Sequence, residues 1–462
     1  MNTISFSLID TIILSAYLIT TFYLGFIKSP QKQNTAAEYI IAGRRVTLPA
    51  FVASLVSTWY GGILGVGEFT YKFGISNWLV FGVPYYLYAL IFAQFIAKRA
   101  RRTAFVTIPD QLQARYGRRA SLAGAGFIFL LSLPAPYVLM LGSLITLFFP
   151  IPLWLAILIG STYSFAYIVH NGFSAVVRTD ILQFGLMFGG FILILSYAMA
   201  NHGGFAFLAA ELPQGHLTWH GGNSLPYILV WYVIAASTLV DPNFYQRCYA
   251  ARSESTARNG ILISILFWIV FDFLTTTTGL YARVLLPELA NPVEAYPLLA
   301  EFLLPQIAKG IFFVALFATV MSTLDSFAFV SGLTLGRDVM WKLRNRIDES
   351  TQQAHIKLGL VITFVVSIFI AILSRSVIDI WYQLGSVATP ALAIPLAASF
   401  SERWKMQPDM AFFSILISGG GSLFWLMIGI SRGQNFLGLE PIYLGLVVSI
   451  VLFMVGILLK NK

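Results

Sequence analysis

The chain has 462 residues, of which 58% are hydrophobic and only 11% are charged. A soluble protein of this size needs far more polar surface, so the composition excludes a soluble fold and predicts an all-α protein that crosses a membrane many times. The formal charge of +9 would suit a nucleic-acid partner, but membrane topology explains it better, and no nucleic acid is expected.

About thirteen segments are long and apolar enough to be transmembrane helices. They are predicted at 5–27, 48–72, 77–97, 120–149, 151–169, 176–200, 225–241, 260–284, 309–335, 356–374, 377–400, 408–431 and 438–459. The polar intervals between them are short. Residues 1–462 are therefore expected to form a single membrane domain.

The basic residues indicate the orientation. With the N-terminus outside, the inner loops receive 24 of the 29 lysines and arginines, all except Lys72, Arg283, Lys309, Arg375 and Arg432. Lysine and arginine concentrate in cytoplasmic loops. We therefore expect a multi-pass protein of the plasma (inner) membrane, with its N-terminus outside and its C-terminus in the cytoplasm.

The second segment contains residues that weaken its own helix. They fall in its middle, at Ser57, Thr58, Gly61, Gly62, Gly65 and Gly67. Glycine lowers helical preference and lets another backbone come close. An unwound turn would free carbonyl oxygens that could bind an ion, whereas glycine-rich packing without unwinding explains the pattern equally well.

The loop after the third segment carries TIPDQLQARYG at 107–117. Thr107 suits a helix cap and Pro109 an early helical position, so the loop is expected to contain a short interfacial helix.

Two carboxylates stand inside membrane segments. Asp180, near the start of segment six, could be neutralised by Arg178 or could reach toward Ser326 and Asp325. Asp272, in the middle of segment eight, suits a proton path, a site for a cationic substrate or a hydrogen bond to a nearby threonine. The sequence does not rank these alternatives.

The ninth segment carries a narrow polar stripe. Ser322, Asp325 and Ser326 fall within about 100° of one another on a helix, with Thr323 at the edge of that arc. Their oxygens are hard ligands of the kind that replace water around a small cation. Helix packing explains the hydroxyls as well, but a carboxylate in hydrocarbon is costly unless it is paired, protonated or bound to an ion. The stripe favours a cation-coupled transporter.

The segments that would surround a solute lack positive charge. The middles of segments two, four and seven contain no arginine or lysine, which leaves a neutral, zwitterionic or small carboxylate solute. A carboxylate could be received by the helix ends of a broken span. The candidate cavity residues are Tyr60, Gly62, Tyr137, Trp231 and Tyr232, and packing explains each of them equally well.

Several of these stretches together resemble the sodium:solute symporter family. The matching pieces are AAEYIIAGRR (36–45), GVGEFTYKFG (65–74), TIPDQLQARYG (107–117), SAVVRTDILQ (174–183), NFYQRCYAARS (243–253) and VMSTLDS (320–326). The resemblance implies a LeuT-type fold with two inverted five-helix repeats, at about 48–200 and 225–400, and extra helices at 5–27 and 408–459.

The resemblance also implies a sodium site. Backbone carbonyls at Leu55 and Thr58 and the hydroxyls of Ser322 and Thr323 would bind Na⁺, the coupling ion and the only metal expected.

A second cation or proton site is predicted beside the first. Asp180 matches a family aspartate associated with sodium. Where two-sodium members carry two further hydroxyl residues, this chain has Asp325 and Ser326. Because two close carboxylates rarely both ionise without a cation, a proton could join or replace the ion there.

These observations predict a secondary active symporter that imports a small organic solute with Na⁺. The alternatives are a proton-coupled symporter of the same fold and a solute sensor that does not transport. No GxxxxGK[ST], HExxH or GxSxG motif occurs, so an enzyme is not expected. The expected partners are the solute and the lipid bilayer, and an oligomer is not required.

Overall fold

The computed structural model describes residues 4–27, 36–344, 349–374, 376–433 and 436–460. Lys28, Lys32, Arg346, Arg375 and Lys462, which entered the charge argument, lie outside the described residues. Within these ranges the chain forms helices, turns and loops, apart from an isolated parallel bridge between Val46 and Ala251. The prediction of an all-α protein is confirmed.

Eleven α-helices occupy the first half of the chain. They are α1 (Leu8–Phe26), α2 (Ala36–Ile41), α3 (Leu48–Ser57), α4 (Ile63–Phe73), α5 (Val83–Phe92), α6 (Lys98–Arg102), α7 (Ile108–Leu131), α8 (Ala135–Phe148), α9 (Leu153–Asn171), α10 (Phe173–His202) and α11 (Phe205–Glu211).

Nine more follow in the described part of the second half. They are α12 (Leu225–Ile234), α13 (Pro242–Ala250), α14 (Glu254–Leu285), α15 (Ala295–Leu303), α16 (Ala308–Leu333), α17 (Gln352–Ser374), α18 (Val377–Ser399), α19 (Pro408–Arg432) and α20 (Pro441–Lys460). Short 3₁₀ turns occur at Ala42–Arg44, Thr58–Tyr60, Ala235–Leu239, Pro292–Glu294, Glu349–Thr351 and Phe436–Gly438, and π-helical turns at Trp78–Gly82, Ala93–Ala97 and Thr334–Trp341.

The number of membrane spans is close to the prediction. Eleven helical stretches in the described ranges are long and apolar enough to cross a membrane, and the bent pair Leu48–Tyr60 and Ile63–Phe73 makes a twelfth. The predicted count of thirteen is therefore slightly too high by this measure. The segment predicted at 377–400 forms α18, which is not among these stretches and contains two internal prolines, Pro390 and Pro395.

Helix α16 lies at the centre of the molecule. All of its residues are buried except Ile311 and Phe327. It packs against α1, α8, α9, α10, α13 and α17. A helix that is buried on nearly every side is typical of a protein interior. The polar stripe on α16 therefore faces other helices and not lipid.

The second predicted segment is a broken span. Helices α3 and α4 are bent by 57° around a 3₁₀ turn at Thr58–Tyr60. The glycine-rich middle of this segment was expected either to unwind or to pack closely without unwinding. The helix does unwind there, and it also packs closely against a neighbour. A Cβ on Gly61 would lie 2.4 Å from the Cβ of Thr323, so only glycine lets α16 approach the break this closely.

A short helix is also present in the loop where an interfacial helix was predicted, as the first part of α7. Gly117 interrupts α7 with φ 83° and ψ 179°, which glycine adopts readily, so residues 108–116 form a separate helical stretch. Thr107 stands at the N-cap position, but its hydroxyl makes no capping bond. It donates instead to the carboxylate of Asp338 (3.1 Å), which joins this stretch to the end of the α16 span.

Candidate functional site

Backbone and hydroxyl oxygens converge where the break after α3 meets α16. Thr323 donates its hydroxyl hydrogen to the carbonyl oxygen of Thr58 at 2.9 Å. The same hydroxyl lies 3.5 Å from the Ser57 carbonyl and 3.3 Å from the Thr319 carbonyl. Thr58 and Thr323 are at most 4% exposed, so this oxygen cluster is shielded from water.

The four predicted sodium ligands lie around this junction. Thr58 and Thr323 are in direct contact, and Ser322 precedes Thr323 on α16. Leu55 is buried one turn before the break. The carbonyls in contact with the Thr323 hydroxyl are nevertheless those of Ser57 and Thr58, which are two and three residues further along the chain than Leu55.

Asp180, on α10, links α3 to α16. Its Oδ1 accepts the hydroxyl hydrogen of Ser322 at 2.7 Å, and its Oδ2 accepts the hydroxyl hydrogen of Ser54. All three side chains are fully buried. The carboxylate thereby stands next to the oxygen cluster of Thr323, on the side of α10.

The charge partner of Asp180 is Arg247, on α13. Its Nη2 lies 3.3 Å from Asp180 Oδ2, and both side chains have no exposed surface. The guanidinium also donates to the Ser54 carbonyl (3.1 Å), the Ser326 hydroxyl (2.8 Å) and the Thr58 hydroxyl. Two of these acceptors lie on α3 and its terminal turn. Arg247 therefore connects its own helix, α13, with α10, α16 and the end of α3.

Arg178 does not neutralise Asp180. Its Nε donates to the carbonyl of Leu24 on α1, at 3.2 Å. Spacing along one helix explains this result, because residues two apart on a helix face different neighbours. The first of the two alternatives for Asp180 is therefore wrong, and Asp180 belongs to the buried polar cluster.

The three residues of the second predicted site are divided between two surroundings. Asp180 and Ser326 meet around Arg247. Asp325 instead accepts the hydroxyl hydrogen of Tyr167, on α9, and its Oδ1 has no hydrogen-bond partner among the residues that the structure describes. Asp325 and Ser326 are about 100° apart on α16, so they face different helices.

A cavity of about 350 Å³ opens beside the break, and residues before and after the bend line it. Four of the five predicted cavity residues, Tyr60, Gly62, Tyr137 and Trp231, line it. Tyr232 does not, and packs instead against a small cluster formed by Phe69, Val80 and Ile228. Neighbouring residues on α12 point about 100° apart, and Trp231 is the one of the two that lines the cavity.

Acidic side chains lie on the cavity wall. Glu68 pairs with Lys72 across one helical turn (2.5 Å), and both line the cavity. Asp272 accepts the hydroxyl hydrogen of Tyr86, while Thr275 bonds back to its own helix at Phe271. The hydrogen-bond partner of Asp272 is thus a tyrosine and not a threonine.

The donor set suits a hard monovalent cation. Within the described ranges, no group of three or more His, Cys, Asp and Glu residues could hold a metal ion. The oxygen cluster consists of neutral carbonyls and hydroxyls with one carboxylate, Asp180, nearby. Such oxygens, freed by a broken helix and buried in protein, are typical of sodium coordination in transporters.

A sequence profile of the sodium:solute symporter family matches residues 39–415. The chain belongs to this family. Membership makes it a transporter and not an enzyme, with Na⁺ as the coupling ion and a small-molecule solute as its cargo. It is a multi-pass protein of the plasma membrane.

Curated symporters align along most of the chain. The sodium/glucose cotransporter of Vibrio parahaemolyticus is 27% identical over 366 residues, which cover 69% of this chain and 66% of that protein. The sodium/pantothenate symporter of Escherichia coli (strain K12) is 24% identical over 466 residues, which cover 96% of this chain and 95% of that protein.

Solved symporters share the fold. A Na⁺-coupled sialic acid symporter in a substrate-bound outward-open state matches with a TM-score of 0.81 at 18% identity, over 99% of this chain and 98% of that one. A nucleobase-cation-symport-1 family transporter matches with a TM-score of 0.62 at 15% identity, over 92% and 95%. The LeuT-type fold is thereby confirmed, while the repeat boundaries at 48–200 and 225–400 remain predictions.

Sequence reasoning about this symporter missed Arg247. It was counted among the inner-loop basic residues, although no part of its side chain is exposed. The signal lay in NFYQRCYAARS, where Tyr245, Cys248 and Tyr249 surround the arginine with residues that favour burial. Asp241 caps α13, and it also lines the cavity.

Proposed function

We propose that the protein imports a small organic solute together with Na⁺, which binds where the α3–α4 break meets α16. The observation that carries this proposal is the contact of the Thr323 hydroxyl with the Thr58 carbonyl, 2.9 Å apart at the turn between two bent helices. An ion at this junction touches both elements, so its affinity depends on how far apart they are.

The proposed ligands are the backbone carbonyls of Leu55 and Thr58 and the hydroxyls of Ser322 and Thr323. The converging oxygens around Thr323 support this set, with the Ser57 carbonyl as an added candidate. On binding, the Thr323 hydroxyl would turn its lone pairs to the ion, and the hydrogen bond to the Thr58 carbonyl would be replaced by shared coordination.

Coupling follows from this geometry. Because the break and α16 fall in different predicted repeats, 48–200 and 225–400, an ion that bridges them would stabilise the state in which they are in contact. With the N-terminus outside and the C-terminus cytoplasmic, the membrane potential would favour Na⁺ entry by about 2.3 kcal/mol per charge per 100 mV. The solute would be neutral, zwitterionic or a small carboxylate.

Asp180, Asp325 and Ser326 are proposed to form a second region that responds to a cation or a proton. The buried carboxylates support this proposal, since each is enclosed between helices. Arg247 already supplies one positive charge to Asp180. The free oxygen of Asp325 is therefore the better candidate for a proton.

Thermal unfolding of the purified protein in Na⁺ titrated against K⁺ at constant ionic strength tests the proposal. Na⁺ should raise the melting temperature of the wild type, because binding to the folded state stabilises it. In Thr323→Val the half-saturating Na⁺ concentration should rise about tenfold, equivalent to about 1.4 kcal/mol. Thr278→Val is the matched control, because that buried hydroxyl bonds only to its own helix at Leu274.

Three outcomes separate the proposal from its rivals. A Thr323→Val protein that responds to Na⁺ like the control would exclude this site. Solute accumulation in proteoliposomes that is driven by a pH gradient and unaffected by Na⁺ would favour the proton-coupled alternative. Solute binding without Na⁺-driven accumulation would favour the sensor.

A further inference from the structure

We infer that the transported solute carries a positively charged nitrogen, as an organic cation or a zwitterion, and that this nitrogen binds at Asp272 between aromatic side chains. The inference rests on the proposed function, because it takes the cavity beside the α3–α4 break as the solute site. Of the neutral, zwitterionic and carboxylate solutes proposed above, it keeps the zwitterions, and it adds organic cations.

The charge of the cavity wall is the first argument. The wall contains three acidic residues, Glu68, Asp241 and Asp272, and one basic residue, Lys72. Lys72 is already paired with Glu68 at 2.5 Å. Asp241 and Asp272 therefore leave the cavity with an excess of negative charge that an anionic solute would have to oppose.

The environment of the two remaining carboxylates is the second argument. Asp272 is 5% exposed and is held by the neutral hydroxyl of Tyr86, which itself receives the indole N–H of Trp78 at 3.1 Å. Asp241 accepts the backbone N–H of Asn243 at 2.8 Å. In the part of the chain that the structure describes, neither forms a direct ion pair with lysine or arginine. Arg247, which pairs with Asp180, also attracts Asp241 through its charge, whereas Asp272 has only neutral donors.

A buried carboxylate with only neutral donors is costly when it is charged. A cationic nitrogen in the cavity would compensate this charge, and a neutral solute would not. The sequence left a cationic-substrate site as one of three roles for Asp272. The tyrosine contact removes the threonine alternative, and the position of Asp272 on the cavity wall favours the cationic-substrate role.

The aromatic wall is the third argument. Eight tryptophan and tyrosine side chains line this space: Trp59, Tyr60, Tyr85, Tyr137, Tyr227, Trp231, Trp381 and Tyr382. The faces of tryptophan and tyrosine rings attract ammonium groups, most strongly where water is excluded. Gly62 contributes as well, because a Cβ there would lie 1.7 Å from the indole of Trp381, so glycine lets this ring close over the cavity.

Four probes of nearly the same shape separate charge from shape. Choline carries a positive charge, and 3,3-dimethylbutan-1-ol is its neutral carbon isostere. Glycine betaine is a zwitterion, and 3,3-dimethylbutanoate is its anionic isostere. Each is added to the purified full-length protein in Na⁺ buffer of matched ionic strength. Melting temperature and quenching of tryptophan fluorescence are then measured, since three tryptophans line the cavity.

Choline and glycine betaine should raise the melting temperature and change the fluorescence, and their two isosteres should do neither. Asp272→Asn should weaken the binding of the cationic probes at least tenfold. Asp409→Asn is the control, because that exposed acid lies in the first turn of α19, away from the cavity. Asp241→Asn provides a second variant if Asp272→Asn does not fold.

Equal or stronger binding of either isostere would overturn the inference, and so would a lack of binding by all four probes. Cation binding that is unchanged in a folded Asp272→Asn protein would overturn it as well, and so would unchanged binding in Asp241→Asn where Asp272→Asn does not fold. Na⁺-dependent stabilisation is recorded in the same samples. If Na⁺ stabilises the protein and the cationic probes do not, the inference fails while the proposed function stands. If Na⁺ has no effect, the proposed function fails.

Discussion

Arg247 and Asp180 form an ion pair, with Nη2 and Oδ2 3.3 Å apart and both side chains fully buried. The pair lies where α13 and α10 meet the end of α3 and the middle of α16. Because the guanidinium also donates to Ser54 and Ser326, separation of these helices would break several bonds at once. The pair therefore ties the broken span to the rest of the transporter.

Arg247→Gln is expected to lower the free energy of unfolding by about 3 to 5 kcal/mol, because it leaves the Asp180 carboxylate buried without its counter-charge. The measurement is unfolding in mixed detergent micelles.

The matched test is the double variant Arg247→Gln with Asp180→Asn. It should recover part of the lost stability, because the uncompensated charge is gone. A double variant less stable than Arg247→Gln alone would show that the two side chains do not act mainly as a charge pair.

The family resemblance predicted the junction of Thr58 with Thr323 although 265 residues separate them. Glycines in one span and a hydroxyl stripe in another each indicate a close helix contact, but these local patterns alone do not pair the two spans. Arg247 could not be found this way. Its partners lie 67 residues away on α10, 79 on α16 and 193 on α3, and no spacing along α13 points to any of them.

The polar stripe on α16 shows the same limit. Helical periodicity correctly grouped Ser322, Asp325 and Ser326 on one arc. It could not predict that these residues contact different helices. Ser322 contacts α10, Asp325 contacts α9, and Ser326 contacts α13 and the turn that ends α3. Which helix lies next to each residue depends on packing among distant segments.

Asp325→Asn is expected to fold normally and to remove a pH dependence of Na⁺ binding. Asn keeps an acceptor for the Tyr167 hydroxyl and removes a buried charge. In the wild type a proton on Asp325 would reduce the negative charge near the ion site, so the half-saturating Na⁺ concentration should rise as pH falls. Thermal unfolding in Na⁺ titrations at several pH values measures this effect.

Tyr167→Phe is the control for that prediction, because it removes the hydroxyl and leaves the carboxylate able to bind a proton. It should keep a pH dependence. An Asp325→Asn protein with the pH dependence of the wild type would remove Asp325 from the coupling scheme.

The charge network at the start of α7 is expected to contribute to stability. Asp110 accepts from Arg337 at 3.0 Å and from Lys342 at 2.6 Å, and all three side chains are at most 13% exposed. Asp110→Asn leaves two cations facing Asp338 alone and should cost about 3 kcal/mol of unfolding free energy.

Glu254→Gln is the comparison for Asp110→Asn. It breaks an ion pair with Arg102 whose side chains are 38% and 70% exposed, and little change is expected because water screens such pairs. Equal losses in the two variants would mean that burial does not set the strength of the α7 network.

Gly61→Ala tests the approach of α16 to the break directly. The added Cβ would lie 2.4 Å from the Cβ of Thr323 in a conformation that alanine adopts without strain, with φ −55° and ψ −20°. The helices must separate, which is expected to cost about 1 to 3 kcal/mol and to weaken Na⁺ binding together with stability. Gly189→Ala on α10 is the control, because nothing lies within 4 Å of its added Cβ and alanine favours a helix. Na⁺ titrations of both variants by thermal unfolding measure the two effects together. A Gly61→Ala protein that lost stability but kept the Na⁺ half-saturation of Gly189→Ala would mean that the junction supports the fold without binding the ion.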